Sequence, residues 1–169
     1  GMQRETEMFI DHVIRQDLPV TEMLTARYTF LNKRLANHYG ISGVQHPDLR
    51  LVTLPADSPR GGLLGHGSLL AITSHPDRTS PVLRGKWVLA NLMGTPPPPP
   101  PPDVPALEDE KPGVKPPTLR EQLSIHRSKP VCATCHDMID PAGFALEHFD
   151  AIGRWRDKDP ALNEIDSSA

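Results

Sequence analysis

The hydrophobic pattern at the start of the chain predicts an amphipathic helix. Over residues 4 to 16, apolar residues recur four positions apart, as in the pair Phe9 and Val13, while charged residues occupy the other side. Pro19 closes this segment, because the residue before a proline avoids helical backbone angles. The pattern therefore places one face of the helix against a core and leaves the other face in solvent.

Two later segments carry clear signals for helix ends. Asn32 can cap a short helix, and Gly40 is a natural residue just beyond its end. The pair Ser80-Pro81 is a strong helix start, since serine caps well and proline is tolerated in the first turn. This second helix stops at Gly94, and we expect Arg84 to lie on its outer side.

One segment reads as a strand and one as a buried helix. Residues 48 to 54 alternate only in part, and Pro55 closes them, which makes them the one plausible strand. Residues 63 to 74 are apolar and predict a buried helix, although glycines flank His66. Those glycines indicate close packing against another backbone, which we favour, or against a flat cofactor.

The C-terminal third predicts short helices separated by turns. The run Thr118-Leu119-Arg120-Glu121 is a capping box that opens a helix, and Lys129-Pro130 ends it. Residues 140 to 143 predict a turn, and residues 145 to 151 a short helix. The remaining residues, 157 to 169, are polar, and we expect a flexible tail.

Proline is concentrated at one place in the chain. The 169 residues include 20 prolines, and seven of them are consecutive, at positions 96 to 102. Polyproline II rises about 3.1 Å per residue, so this tract would span roughly 22 Å as a semi-rigid spacer. Residues 95 to 117 as a whole are predicted to be a proline-rich linker.

Charge and hydropathy exclude two classes of partner. The chain has 18 basic and 21 acidic residues, for a net charge of −3, so neither a nucleic acid nor an anionic membrane surface is expected to bind it. No apolar run approaches the roughly 18 residues that a membrane span needs. The first residues lack the basic and apolar regions of a secretion signal.

The chain's only two cysteines lie in one motif, Cys132-Ala133-Thr134-Cys135-His136. This C-x-x-C-H run is the sequence form of c-type haem attachment. Two thiols about one helical turn apart can reach the two vinyl groups of a haem, and the histidine that follows can bind its iron. A redox disulfide would favour a βαβ context, which is absent, and zinc needs four ligands, which are not evident.

Several runs of the sequence resemble the C-terminal part of large planctomycete-type cytochrome c-like proteins, which are built from several domains of unknown function. The resemblance covers nearly the whole chain. It is carried by Tyr28 to Ile41, Arg60 to Leu64, Thr79 to Trp87, the Gly94-Thr95-polyproline segment, Cys132 to His136, Ile139 to Glu147, and Phe149 to Trp155.

The resemblance implies a secreted or periplasmic haem c protein of which this chain is one piece. It implies that Cys132 and Cys135 attach haem c and that His136 binds the iron. A second axial ligand is not given by the resemblance. From the residues we expect it to be His66, with His75, Met93, a ligand outside the chain, or none as alternatives.

Electron transfer to a redox partner protein, or to other domains of the parent chain, is the expected function. One alternative is an interaction module in which Cys132 and Cys135 form a disulfide without haem. Another is a fragment of a haem-dependent redox enzyme, so enzymatic activity stays open. A visible spectrum would separate the three.

The predicted fold is mainly α. A helical upstream region, residues 1–94, is joined by the linker, residues 95–117, to a small cytochrome c-like α module, residues 118–156. Residues 157–169 follow as the tail of a chain that we expect to be truncated. In the haem module, the predicted apolar wall is Ile139, Phe144, Leu146, Phe149, Ile152 and Trp155, and Arg154 or Arg156 is expected to pair with a haem propionate.

Overall fold

The computed structural model describes residues 1–99 and 117–168 of the chain, and that part is mainly helical. Most of the predicted linker, residues 95–117, falls outside the described residues. The elements in chain order are α1 (Met2–Arg15), α2 (Glu22–Thr25), β1 (Tyr28–Leu31), α3 (Lys33–Tyr39), β2 (Arg50–Thr53), a 3-10 turn (Leu63–Gly65), α4 (Gly67–Ile72), α5 (Pro81–Asn91), α6 (Leu119–Arg127) and α7 (Pro130–Phe144).

The chain folds into two compact units. The first comprises residues 1–79 and 149–155, and the second comprises residues 80–148 and 156–169. Helix α5, which the sequence placed in the upstream region, packs against α7 within the second unit. None of the helices in the described ranges combines the length and apolar character that a bilayer crossing requires.

The first unit is built around a two-stranded antiparallel sheet. Strand β1 pairs with β2 so that Tyr28 faces Thr53 and Leu31 faces Arg50. The predicted strand is confirmed over Arg50–Thr53, but its partner was not predicted, because four residues are too few to show a period of two. Helix α1 packs on β1 and α4, and its residues Phe9 and Val13 are buried as predicted.

The predicted helix over residues 63 to 74 is divided in two. The 3-10 turn and α4 meet at His66, whose backbone is extended, with φ −77° and ψ 131°. Helix α4 then begins at Gly67, whose N–H donates a hydrogen bond of 2.9 Å to the Tyr39 hydroxyl. A tertiary contact therefore satisfies an N–H group that a continuous helix would have paired internally.

The predicted helix ends are confirmed where local chemistry specifies them. The side chains of Asn32 and Ser80 accept hydrogen bonds from the N–H groups of Leu35 and Leu83, and Gly40 adopts the left-handed conformation, with φ 72°. Thr118 and Glu121 form the capping box that begins α6. These signals depend only on neighbouring residues, which is why the sequence reveals them.

The second unit is organised by the crossing of α5 and α7. A Cβ atom on Gly85 would lie 1.9 Å from the Ile139 carbonyl oxygen, and one on Gly143 would lie 1.9 Å from that of Pro81. Only glycine therefore permits the observed approach of the two helices at these positions. Leu123 of α6 is 2 % exposed and contributes to the same core.

Two predictions around Pro141 are wrong. Residues 140–143 do not form a turn, because α7 continues through Pro141 to Phe144. Residues 145–151 do not form a helix: residues 145–148 are turns, and Phe149 pairs with Trp155 in an isolated bridge. Proline removes one hydrogen bond from a helix, here the one to the carbonyl of Asp137. Gly143, which packs against the Pro81 carbonyl of α5, lies after Pro141 and is therefore part of the same helix.

Residues 157–168 make tertiary and local hydrogen bonds. Lys158 and Glu164 form an isolated bridge, and the Ile165 N–H donates to the Asp157 carbonyl at 3.1 Å. Arg120 of α6 pairs with the Asp166 carboxylate at 3.2 Å. The polar residues from which a flexible tail was predicted thus make hydrogen bonds and ion pairs with one another and with α6.

Candidate functional site

The first two turns of α7 carry the C-x-x-C-H motif. The helix begins at Pro130, so Cys132 lies near its start, and Cys135 and His136 follow one turn later. Residues three and four positions apart are neighbours on a helix surface, so Cys132 lies next to both of the others. Both cysteines are free thiols and half-buried. The three side chains are therefore available together at one place on the helix.

The ring of His136 is oriented by a buried carboxylate. Its Nδ1 atom lies 2.9 Å from Oδ1 of Asp140, four residues further along α7. The His136 side chain is 15 % exposed, whereas that of Asp140 is 1 % exposed. A neutral imidazole that donates from Nδ1 presents an unprotonated Nε2, which is the form that binds a metal.

Two side chains of α6 lie beside this pair. The His126 ring meets the His136 ring edge-on, with centroids 5.0 Å apart. Partial burial, and then the nearby charge of His136, lower the pKa of His126. Arg127 lies 3.6 Å from the Asp137 carboxylate and 3.9 Å from that of Asp140. The site therefore combines two imidazoles with one ion-pair network.

The comparison with known protein families covers most of the chain. Residues 60–159 match the model of PSCyt3, described as a protein of unknown function (DUF1588), which is more than half of the sequence. The chain belongs to the PSCyt3 family. Residues 1–41 also match the model of PSD4, described as a protein of unknown function (DUF1592). No curated protein and no solved structure matches the chain significantly.

By name, PSCyt3 and PSD4 are families of planctomycete cytochrome c-like proteins, which agrees with the resemblance stated from the sequence. The PSCyt3 match spans α5, α6 and α7, and so includes the motif and Asp140. Within residues 1–99 and 117–168, no group of three or more histidine, cysteine or acidic side chains forms a preassembled metal site. The donor set of α7 fits c-type haem, which needs two thiols and one imidazole.

His66, the predicted second axial ligand, is buried in the core of the first unit and is 1 % exposed. Its Nδ1 lies 2.9 Å from the Thr6 hydroxyl and its Nε2 lies 3.4 Å from the Thr29 hydroxyl. Burial, and then the charge of Arg60, lower the pKa of His66 to about 3. The ring is thus neutral and contacts protein at both nitrogens, and iron ligation by His66 stays a prediction from the sequence.

The same core holds a buried carboxylate. Glu5 of α1 accepts hydrogen bonds from the Thr29 hydroxyl at 2.7 Å and from the Tyr39 hydroxyl at 2.5 Å. Arg60 lies over the Tyr39 ring, 3.7 Å from its centroid, and donates to the backbone carbonyls of Gly65 and Gly153. Burial raises the pKa of Glu5 to about 7, although Tyr39, Thr29 and Arg60 oppose the shift.

The residues predicted to form an apolar wall belong to different units. Ile139, Phe144 and Leu146 are buried in the second unit. Phe149, Ile152 and Trp155 belong to the first unit, where Ile152 and Trp155 are 46 % and 41 % exposed.

The two arginines predicted to meet a haem propionate have protein partners. Arg154 donates to Nδ1 of His38 at 3.3 Å, and Arg156 donates to the Glu147 carboxylate at 2.6 Å. Pairing of either arginine with a propionate stays a prediction. The contacts of Arg154 with His38 and of Arg156 with Glu147 would compete with a propionate.

A cavity of about 290 Å³ opens in the second unit beside the start of α6, and none of the three motif side chains lines it. Five carboxylates line it against one cation, Arg120, whose guanidinium lies 4.1 Å from the Phe144 ring centroid. The carboxylates are Glu121, Glu147, Asp159, Glu164 and Asp166.

Three residues of the site escaped prediction from the sequence: Asp140, His126 and Arg127. The signal for Asp140 was present, since it follows His136 by four residues, the spacing at which helix side chains meet. Reading Asp140-Pro141 as a turn removed that signal. His126 and Arg127 approach α7 from another helix, and only the packing of α6 brings them there.

Proposed function

We propose that Cys132 and Cys135 attach a haem covalently and that His136 binds its iron, so that this chain is an electron-transfer module of a larger protein. The observation that carries the proposal is the arrangement on α7: two free thiols, and a histidine whose Nδ1 is held by Asp140. The family name, cytochrome-related, supports the same conclusion.

Each residue has a defined part in this proposal. The thiols of Cys132 and Cys135 would add across the two vinyl groups of the haem, sulfur to one carbon and hydrogen to the other, so no atom would be lost. Nε2 of His136 would be the iron ligand, because Nδ1 is engaged by Asp140. When bound, the haem supplies a one-electron couple at its iron.

The proposal includes a compartment and a partner. Covalent haem attachment takes place outside the cytoplasm, so we propose a periplasmic or secreted location. The electron partner is proposed to be a redox protein or other domains of the parent chain. The net charge of −3 gives no reason to propose a nucleic acid.

The test is intact mass after expression with a secretion signal in a host that matures c-type cytochromes. The parent should gain the mass of one whole haem, because the addition loses no atoms. Cys132→Ala and Cys135→Ala should weaken attachment, and the double variant should abolish it. Ser124→Ala, an exposed position on α6, is the matched control and should attach haem as the parent does.

The visible spectrum distinguishes the outcomes. A Soret band with sharp α and β bands on reduction supports electron transfer. A high-spin spectrum that changes with peroxide would contradict electron transfer and support haem-dependent catalysis. An unchanged mass, together with loss of free thiols on oxidation, would replace it with an interaction module stapled by a Cys132–Cys135 disulfide.

A further inference from the structure

Asp140 is a buried carboxylate, and within the described ranges its one side-chain hydrogen-bond partner is His136. Its side chain is 1 % exposed, and Oδ1 lies 2.9 Å from Nδ1 of His136. Among the described residues, Oδ2 accepts no hydrogen bond, and its nearest cation is Nε of Arg127 at 3.9 Å. Burying a carboxylate is costly unless it is paired. The short hydrogen bond to His136 is therefore the contact that does most to offset the burial of Asp140.

The geometry suits a carboxylate–histidine–metal arrangement. A histidine that binds a metal through one nitrogen commonly donates its other N–H to a carboxylate, which fixes the ring and makes the ligand more basic. In this chain both partners lie on α7, four residues apart, and the rigid helix sets their distance. A hydrogen bond from the protein to the histidine that binds the iron is one means by which a protein tunes a haem.

We propose that Asp140 is a positioning residue for the iron ligand: it holds His136 with Nε2 free and, through the Nδ1–H hydrogen bond, favours ferric over ferrous iron. This inference rests on the proposed haem attachment and adds to it the regulation of the couple. A more basic imidazole donates more electron density, which stabilises the more highly charged iron. The site is thereby tuned towards a low potential.

The surrounding charges limit the effect. Arg127 faces Asp140 and draws part of its negative charge, and Asp137 pairs with Arg127 from the exposed side of α7. His126 lies against His136 from α6. Removing the charge of Arg127 should therefore act in the direction opposite to removing that of Asp140.

The experiment uses the matured, haem-loaded chain and measures its midpoint potential. Asp140→Asn keeps the side-chain size and removes the charge, so the preference for ferric iron should fall by about tenfold to a hundredfold, the range in which metal affinity falls when a carboxylate bonded to a metal-binding histidine is replaced. For a one-electron couple each tenfold step raises the potential by about 59 mV. Asp137→Asn, which removes one charge from the same helix at an exposed carboxylate that pairs with Arg127, is the control and should change the potential far less.

A second variant and a second measurement keep the inference falsifiable if Asp140→Asn does not mature. Arg127→Gln should lower the potential. In the parent without haem, ¹⁵N NMR of the His136 ring should show the proton on Nδ1. If Asp140→Asn and Asp137→Asn both acquire haem and have the same midpoint potential, the inference is overturned and the proposed function still stands. The same holds if Nδ1 of His136 carries no proton. If the parent acquires no haem, the proposed function fails and the inference falls with it.

Discussion

At the residue scale, each unit buries a charged side chain in its core. Glu5 is fully buried in the first unit and accepts hydrogen bonds from Thr29 and Tyr39. Arg84 is 1 % exposed in the second unit and donates to the Leu146 carbonyl at 2.8 Å. Its predicted outward position is wrong, because α7 covers the face of α5 that carries it. The free energy of unfolding therefore depends on the protonation state of Glu5 and on the few groups that contact Glu5 and Arg84.

Glu5 should make the stability of the first unit depend on pH. Burial raises its pKa from 4.5 to about 7, so the folded state binds the proton more tightly than the unfolded state. This contribution is full below about pH 4.5 and is lost as the pH rises through about 7. The shift corresponds to about 3 kcal/mol. We expect Glu5→Gln to remove this contribution, since glutamine does not ionise. The buried neutral His66, whose pKa is lowered to about 3, contributes with the opposite sign below about pH 6.5 in both proteins, so the variant is compared with the parent at each pH.

The measurement is denaturant unfolding between pH 4 and pH 9 in a Trp87→Phe background. The Trp87→Phe substitution leaves Trp155 as the fluorescent reporter, and the Trp155 ring lies 5.2 Å from that of Phe149 in the first unit. Glu7→Gln, an exposed position on α1, is the control and should keep the parent's pH profile. Parallel pH profiles in Glu5→Gln and the parent would contradict the assignment.

Arg84 should be essential to the second unit. Its guanidinium lies 3.7 Å from the Glu147 carboxylate, whose side chain is 10 % exposed, so Arg84→Ala leaves that charge with less compensation. Arg156 still pairs with Glu147, and we expect a loss of about 3 kcal/mol in unfolding free energy. Trp87 fluorescence in a Trp155→Phe background measures it.

The matched control is Lys86→Ala, which removes an equal charge from an exposed position of α5. Its effect should stay within about 0.5 kcal/mol. Equal losses in the two variants would show that the charge of the helix, rather than the buried contact, matters.

At the scale of elements, the second unit depends on how closely α5 and α7 approach. Gly85 and Gly143 each face a backbone carbonyl of the other helix at a distance that no Cβ atom could share. Glycine lowers intrinsic helix propensity, so its presence within both helices has a cost that packing must offset. The crossing also holds the helix that carries Cys132, Cys135 and His136.

Gly85→Ala should destabilise the second unit, although alanine is the better helix former. Propensity alone would stabilise the helix by about 1 kcal/mol. The added Cβ would instead push α5 from α7, and overpacking of this kind costs about 1–3 kcal/mol. Trp87, on the same helix, reports the unfolding. Ala90→Gly, whose effect on α5 should be a propensity loss of about 1 kcal/mol, calibrates the scale.

The sign of the Gly85→Ala change decides between the two effects. A gain in stability would mean that the helices can separate at no cost. A net loss, which means that overpacking outweighs the gain of about 1 kcal/mol in helix propensity, would support the close crossing.

At the scale of the whole molecule, the second unit has a small core and, in our proposal, a cofactor. Small units seldom stabilise themselves fully by apolar burial alone, and a covalent group can add to their stability. Among the described residues of the second unit, the buried leucine, isoleucine and phenylalanine side chains are Leu89, Leu123, Ile139, Phe144 and Leu146. Haem held by α7 would add apolar surface there.

We expect haem attachment to slow amide hydrogen exchange in α6 and α7. Anything that binds only the native state stabilises it, and covalent attachment keeps the group present. The comparison is between the matured chain and the same chain made in a reducing cytoplasm, where no haem is attached. Equal exchange rates in α7 would contradict a stabilising role for haem.

Local chemistry made part of this protein predictable from its sequence. The caps at Asn32, Ser80 and Thr118 and the turn at Gly40 follow from side-chain and backbone preferences within a few residues. The C-x-x-C-H motif is likewise local, so the candidate site was found on the helix that carries it. The mainly helical class follows from the periodicity of the apolar residues.

Tertiary structure decided what depends on residues far apart in the chain. Strand β1 was not predicted, because its length is too short to show a pattern without its partner. Arg84 and Glu5 are buried because other elements cover them, and no periodicity reveals that cover. Asp140 faces His136 because α7 continues through Pro141, where the packing against α5 outweighs the local preference for a turn.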